Sequence, residues 1–181
     1  MIALVSGGAA SGKSEFAEAL ALRLAGERPR YYVAAMEVFD EESRRRVLRH
    51  RQLRRGKGFL TLEHPRELSG LALPREGVAL VECMSNLLAN ECFGTPPSPD
   101  PEQAAVEGML HLAQQGDVVV VTNELFSDGL RYDPSTEEYL KMLGRVNQAL
   151  ARQASLVYEV VCGIPLCRKD TTKEGLSCFI G

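Results

Sequence analysis

Residues 7–14 read Gly7-Gly8-Ala9-Ala10-Ser11-Gly12-Lys13-Ser14, a full match to G-x-x-x-x-G-K-S. Every fixed position of that pattern serves a polyanion. The glycines let backbone N–H groups converge on phosphate oxygens, the lysine reaches the terminal phosphates, and the serine hydroxyl can ligate magnesium. A chance Gly-Lys-Ser in a glycine-rich turn would lack the right flanks. Here an apolar run over residues 2–6 precedes the loop, and Phe16, Ala17, Leu20, Ala21 and Leu24 follow it at helical spacing. Strand, loop and helix is the order that a phosphate cradle requires.

Three further groups bear on the same chemistry. Glu82 ends the apolar run 78–81, where P-loop enzymes place a carboxylate that helps hold the metal; the plainer alternative is a solvated or surface-paired acid. Between Arg44 and Lys57 the chain crowds Arg44, Arg45, Arg46, Arg49, Arg51, Arg54, Arg55 and Lys57 around His50, more than a helix dipole accounts for. Helical spacing puts Arg46, His50 and Arg54 on one face. Guanidinium neighbours would disfavour a protonated imidazole, keep a lone pair for attack on phosphorus, and neutralise an incoming triphosphate. Spacing alone leaves His50 open between that nucleophile and a solvated histidine, and leaves the cluster open to nucleic acid. Thr122, Asn123 and Glu124 close the most apolar strand and read either as crevice residues or as a polar strand cap. His64 and His111 lack zinc-like spacing, so magnesium arriving with nucleotide is the metal expected.

The scaffold for these residues follows from periodicity. Residues 2–6, 31–35, 59–63, 78–83, 118–122 and 156–162 read as strands, and 13–24, 40–55, 85–92, 101–115 and 136–154 as helices. Gly56 and Gly58 stop the basic helix, and a proline-rich loop spans 94–101. Such alternation predicts a mainly parallel sheet with helices on both faces and a ligand crevice at the carboxyl ends of the strands. The phosphate loop, residues 82–85 and residues 122–124 all fall there.

Composition narrows the classes. The 181 residues suit one sizeable core, and a net charge of −3 gives no global basic field for nonspecific nucleic-acid binding. Cys83, Cys92, Cys162, Cys167 and Cys178 form neither Cys-x-x-Cys pairs nor a dense disulfide framework, and read as free thiols. The N-terminal run is not a signal-peptide pattern, and no apolar stretch approaches the roughly 20 residues of a bilayer span. A cytoplasmic protein is expected, with residues 170–181 as an aperiodic tail.

Together the motifs resemble those of the bifunctional adenosylcobinamide kinase/adenosylcobinamide-phosphate guanylyltransferases of cobalamin biosynthesis. The resemblance runs over residues 1–166. It rests on residues 4–15, on Arg46-Val47-Leu48-Arg49-His50-Arg51, on Val81-Glu82-Cys83, on Val121-Thr122-Asn123-Glu124 and on Gly144-Arg145-Val146-Asn147-Gln148. It implies an α/β three-layer P-loop NTPase fold, RecA-like, with a mainly parallel central sheet, over a kinase/guanylyltransferase domain of residues 1–169. His50 takes the position of the histidine that becomes guanylylated, and Lys13 of the phosphate loop is the other catalytic residue, binding the triphosphate. Besides Gly7, Gly8, Ala9, Ala10, Ser11, Gly12, Lys13 and Ser14, the nucleotide site matches Ala34, Ala35, Met36, Arg51, Gln52, Leu53, Arg54, Glu63 and Glu82. Ser14 and Glu82 would hold Mg2+. GTP or ATP, adenosylcobinamide and a homotrimer are the implied partners, without nucleic acid or a membrane span. Two departures stand out: Ala10 occupies the place of the family's arginine, and its Arg-Pro and tryptophan pattern appears as Arg54-Arg55-Gly56-Lys57-Gly58-Phe59. Beside this reading stand a simple small-metabolite kinase with the basic helix as a lid, and a regulatory nucleotide- or RNA-binding protein.

Overall fold

The structure, a computed structural model, describes residues 1–36, 41–126 and 129–172. Its strands are β1 (Ile2–Gly7), β2 (Arg30–Ala34), β3 (Phe59–Glu63), β4 (Gly77–Glu82), β5 (Gly116–Asn123), β6 (Leu156–Val161) and β7 (Ile164–Asp170). The helices are α1 (Lys13–Ala25), α2 (Glu41–Leu53), α3 (Met84–Phe93), α4 (Pro101–Gln115) and α5 (Pro134–Gln153). One sheet carries all seven strands in the order β3-β2-β4-β5-β1-β6-β7. Every neighbouring pair is parallel except β6 with β7.

Continuous apolar runs become the central strands because both of their faces are covered. Successive side chains point to opposite sides. Leu4, Val81 and Val120 therefore meet Met84, Leu88, Met109 and Leu143 in one core, while Val5, Leu80 and Val121 meet Ala17, Leu20 and Ala21 in the other. Helices α3, α4 and α5 cover the first face and α1 the second, which gives the three layers expected. The start of β4 faces the start of β5, with Gly77 and Gly116 in register. A Cβ at Gly116 would collide with the Gly77 carbonyl, so the pair needs glycine to bring β4 and β5 together.

Strand β7 was not legible as a strand. Its sequence, IPLCRKD, has no apolar alternation, and Pro165 is tolerated because β7 is an edge. The turn before it places Cys162 at φ 50° and Gly163 at φ 81°, the two positive values of a tight two-residue hairpin. Cys-Gly lacks the Asn-Gly signature of such a turn, so the run 156–162 reads one residue too far. Beyond β7, the Thr171 amide donates to the Ser155 carbonyl, and residues 173–181 of the expected tail lie outside the described residues.

At the start of β5, Asp117 accepts hydrogen bonds from the Met1 amino group at 2.8 Å and from Arg28 Nη2 at 2.6 Å. Burial pushes its carboxyl up, but these partners outweigh burial and hold it below the usual carboxylate range. Such a group contributes stability above its unfolded pKa, about 3.9, and loses that contribution as pH falls through the lower folded value. Asp117→Asn should therefore cost about 1–2 kcal/mol at pH 7 and flatten the stability profile below about pH 4, read by urea unfolding at both ends of that range.

Candidate active site

The phosphate loop is shaped by its own glycines and by the hairpin behind it. Gly12, at φ 90°, caps α1 in the left-handed region. A Cβ at Gly7 would fall 2.5 Å from Ser11 Oγ and 2.7 Å from the Val160 carbonyl. The Gly163 amide donates to the Ser11 carbonyl at 2.8 Å, so the β6–β7 turn braces the loop. Ala10 takes the left-handed conformation at φ 56°. Lys13 is buried and donates to the Gly8 carbonyl at 2.9 Å. Burial pulls its ammonium below the ordinary value, against raising contributions from Cys83 and Glu82.

Ser14 reaches from the loop to the end of β4. Its hydroxyl donates to Glu82 Oε1 at 2.5 Å. The other carboxylate oxygen accepts from the Tyr32 hydroxyl at 3.1 Å and lies 3.2 Å from His50 Nδ1. That last approach is close without being a well-aligned hydrogen bond, since the buried Nδ1 has no hydrogen-bond partner. Burial pushes the Glu82 carboxyl up, yet His50, Ser14 and Tyr32 outweigh it and hold it below the usual range. Helix spacing surrounded His50 with guanidinium groups. The structure keeps Arg51 and Arg54 beside the cavity at the ring and also sets a carboxylate against it, because β2 and β4 pair directly and deliver Tyr32 and Glu82 beneath α2.

A cavity of 270 Å³ adjoins the imidazole. Six expected residues line it: Ala34, Met36, His50, Arg51, Arg54 and Glu63. So do Tyr32, Thr61 and Pro65, which the sequence did not single out, and Val47, which enters there only within the histidine motif and not as a site residue.

Comparison with known proteins fits this arrangement. The family model for cobinamide kinase / cobinamide phosphate guanyltransferase matches residues 3–167. The chain belongs to this family. It is similar to the bifunctional adenosylcobalamin biosynthesis protein CobU of Salmonella typhimurium, with 34% identity over 91% of this chain and 97% of that protein. The CobU of Escherichia coli is 32% identical over the same shares, and CobP of Pseudomonas aeruginosa is 32% identical over 90% of this chain and 94% of that protein. Among solved structures, the flagellar accessory protein FlaH of Methanocaldococcus jannaschii superposes with a TM-score of 0.52 at 15% identity, over 93% of this chain and 78% of that one. An ATPase domain of known structure gives 0.50 at 8% identity, over 87% of this chain and 68% of that one. These two show the fold, that of P-loop NTPases, which bind nucleotide together with a metal ion.

The remaining positions of this cobinamide kinase/guanyltransferase family member divide clearly. Arg51 pairs with Glu63 at 3.1 Å on the exposed rim, a contact worth about 0–1 kcal/mol. Arg54 turns inward and lays its guanidinium 3.2 Å from the centroid of the Tyr32 ring. Ala35 is buried, donating to the Glu82 carbonyl, and Gln52 is exposed; neither lines the cavity. The side chains of Arg46 and Leu53 lie outside the described residues. Thr122 donates to Asn147 at 2.8 Å and Asn123 to Ser85 at 2.6 Å, while the Glu124 amide donates to the Gly7 carbonyl, so this trio ties β5 to its neighbours beside the phosphate loop. Tyr32 carried no signal, because a tyrosine within a buried strand reads as core. Burial and Glu82 push its phenol well up, against the lowering effect of Arg54, which keeps it a donor.

The donor set suits a hard divalent cation. Ser14 and Glu82 present adjacent oxygens at the start of α1, and magnesium commonly takes one or two protein oxygens and completes its shell with phosphate and water. Among the described residues no group of three or more His, Cys, Asp or Glu side chains forms a cage of its own, and no helix is long and apolar enough to cross a membrane.

The turn after α2 is pinned close to this site. Lys57 Nζ donates to Glu18 Oε2 at 2.5 Å, with the glutamate side chain only 2% exposed, and Arg30 donates to the Lys57 carbonyl at 3.1 Å. Removing Lys57 strands a buried acid. Lys57→Met should cost about 2–3 kcal/mol, and the double variant with Glu18→Met should recover most of it, as a thermal-unfolding double-mutant cycle would report.

Proposed function

We propose that this chain first phosphorylates the aminopropanol hydroxyl of adenosylcobinamide and then transfers GMP from GTP onto the resulting phosphate through a histidine-bound GMP. One observation carries the reading: Glu82 touches His50 with one oxygen and Ser14 of the phosphate loop with the other. A single carboxylate thus joins an imidazole to the seat of a triphosphate. Residues 1–169 form the catalytic domain in this reading, and the assembly is a homotrimer.

In the kinase step the acceptor hydroxyl oxygen attacks the γ-phosphorus of ATP or GTP, its proton departs, and the nucleoside diphosphate leaves. Lys13 and the loop amides orient and neutralise the terminal phosphates. Ser14 and Glu82 would hold Mg2+, which when bound supplies further neutralisation of phosphate charge. In the transferase step an imidazole nitrogen of His50 attacks the α-phosphorus of GTP, forming a P–N bond as the bond to pyrophosphate breaks. A phosphate oxygen of adenosylcobinamide phosphate then attacks that phosphorus and the P–N bond breaks, which frees His50 and gives adenosylcobinamide-GDP. Splitting one substitution into two lowers each barrier. Arg54 and Arg51 balance negative charge around the cavity.

The alternatives fit the same site less well. A kinase alone gives no role to an imidazole held against Glu82. An RNA-binding surface would use the exposed Arg44, Arg45 and Arg55, but it gives no role to Arg54, buried on Tyr32, or to the contact of Glu82 with both Ser14 and His50. Incubation with Mg2+ and GTP labelled at the α-phosphate should give a covalent, acid-labile label that His50→Ala abolishes. Wild-type protein that stays unlabelled would end the transferase proposal, and label surviving in His50→Ala would move it to another residue.

A further inference from the structure

Two buried side chains of opposite charge meet the same tyrosine and yet do not pair. Arg54 and Glu82 are each 7% exposed. Ions stripped of water gain most from direct contact with a counter-ion. Arg54 nevertheless makes no ion pair among the described residues, and its Nη1 is buried without a hydrogen-bond partner. Glu82 is taken instead by Ser14, Tyr32 and His50. Tyr32 stands between the two charges. Its ring carries the guanidinium on one face, and its hydroxyl donates to Glu82 Oε2. The ring is packed into the α1-side core, with the residue 5% exposed.

We infer that Tyr32 is a positioning residue that holds Arg54 and Glu82 apart, so that the carboxylate stays with Ser14 and the guanidinium stays available to an anion in the adjoining cavity. Both Tyr32 and Arg54 line that cavity. A cation held on a ring face keeps its N–H groups for ligands at the ring's edge. Were the two charges to join, each would cancel the other: Glu82 would leave Ser14, and Arg54 would present no free donor. The inference rests on the proposed function only in taking the anion to be a phosphate group of the nucleotide.

Calorimetric binding of a non-hydrolysable GTP analogue to the full chain, with and without Mg2+, tests this without any turnover. The quantity read is the factor by which Mg2+ tightens binding. Tyr32→Leu, which removes ring and hydroxyl, should shrink that factor about tenfold as Arg54 swings onto Glu82. Tyr32→Phe keeps the spacer and should stay within about threefold of wild type. Adding Arg54→Met to Tyr32→Leu removes the competitor and should restore the Mg2+ effect to within about threefold, although the analogue binds more weakly throughout. Arg54→Met alone, which keeps the test available should Tyr32→Leu not fold, should weaken analogue binding about tenfold and leave the Mg2+ effect unchanged. The inference is overturned if Tyr32→Leu keeps the wild-type Mg2+ effect, if Tyr32→Phe loses as much as Tyr32→Leu, if Arg54→Met fails to rescue, or if Arg54→Met alone abolishes the Mg2+ effect. Wild-type protein that binds the analogue but never acquires covalent GMP would sink the transferase reading alone and leave Tyr32 to be judged on these affinities.

Discussion

The site depends on a carboxylate kept charged where burial opposes charge. Glu82 is nearly enclosed, and an isolated carboxylate there would take up a proton. Three contacts prevent it: the hydrogen bonds from the Ser14 hydroxyl and the Tyr32 phenol and the close approach of the His50 ring. Each comes from a different element, α1, β2 and α2, so the ionised state of one side chain reports that three segments have assembled correctly. Loss of any one contact changes the other two through the shared acceptor.

Sheet order makes this convergence possible. β4 lies beside β2 and is separated from β1 by β5, which leaves room for the start of α1 to reach across β5 toward Glu82. The glycine pair at the foot of β4 and β5 lets the two strands close on each other, and the Thr122, Asn123 and Glu124 contacts fix their carboxyl ends. The crevice is therefore defined at both ends of the central strands: backbone packing sets one end and side-chain hydrogen bonds set the other.

Much of this was legible from sequence because it rests on local patterns. The phosphate loop announces itself through glycine spacing and flanking periodicity, and the central strands through unbroken runs of valine, leucine and alanine. What was not legible depends on which strands become neighbours. Helix spacing around His50 could count arginines but could not know that β4 would bring an acid beneath the ring. Arg54 was expected beside His50 in the nucleotide site, but helix spacing could not show that the pairing of β2 with β4 would set Tyr32 under it. β7 escaped because an edge strand with one bonded neighbour needs no alternation, and its turn uses a Cys-Gly pair in place of the usual signature.

The β6–β7 turn that supports Ser11 and crowds Gly12 from behind has a consequence for affinity. A free glycine-rich segment samples many shapes, and gathering its amides around an anion would cost conformational entropy at the moment of binding. Braced by a neighbouring turn, the segment gives up that freedom when the chain folds. An arriving ligand then meets donors already converged, and more of its interaction energy survives as net binding.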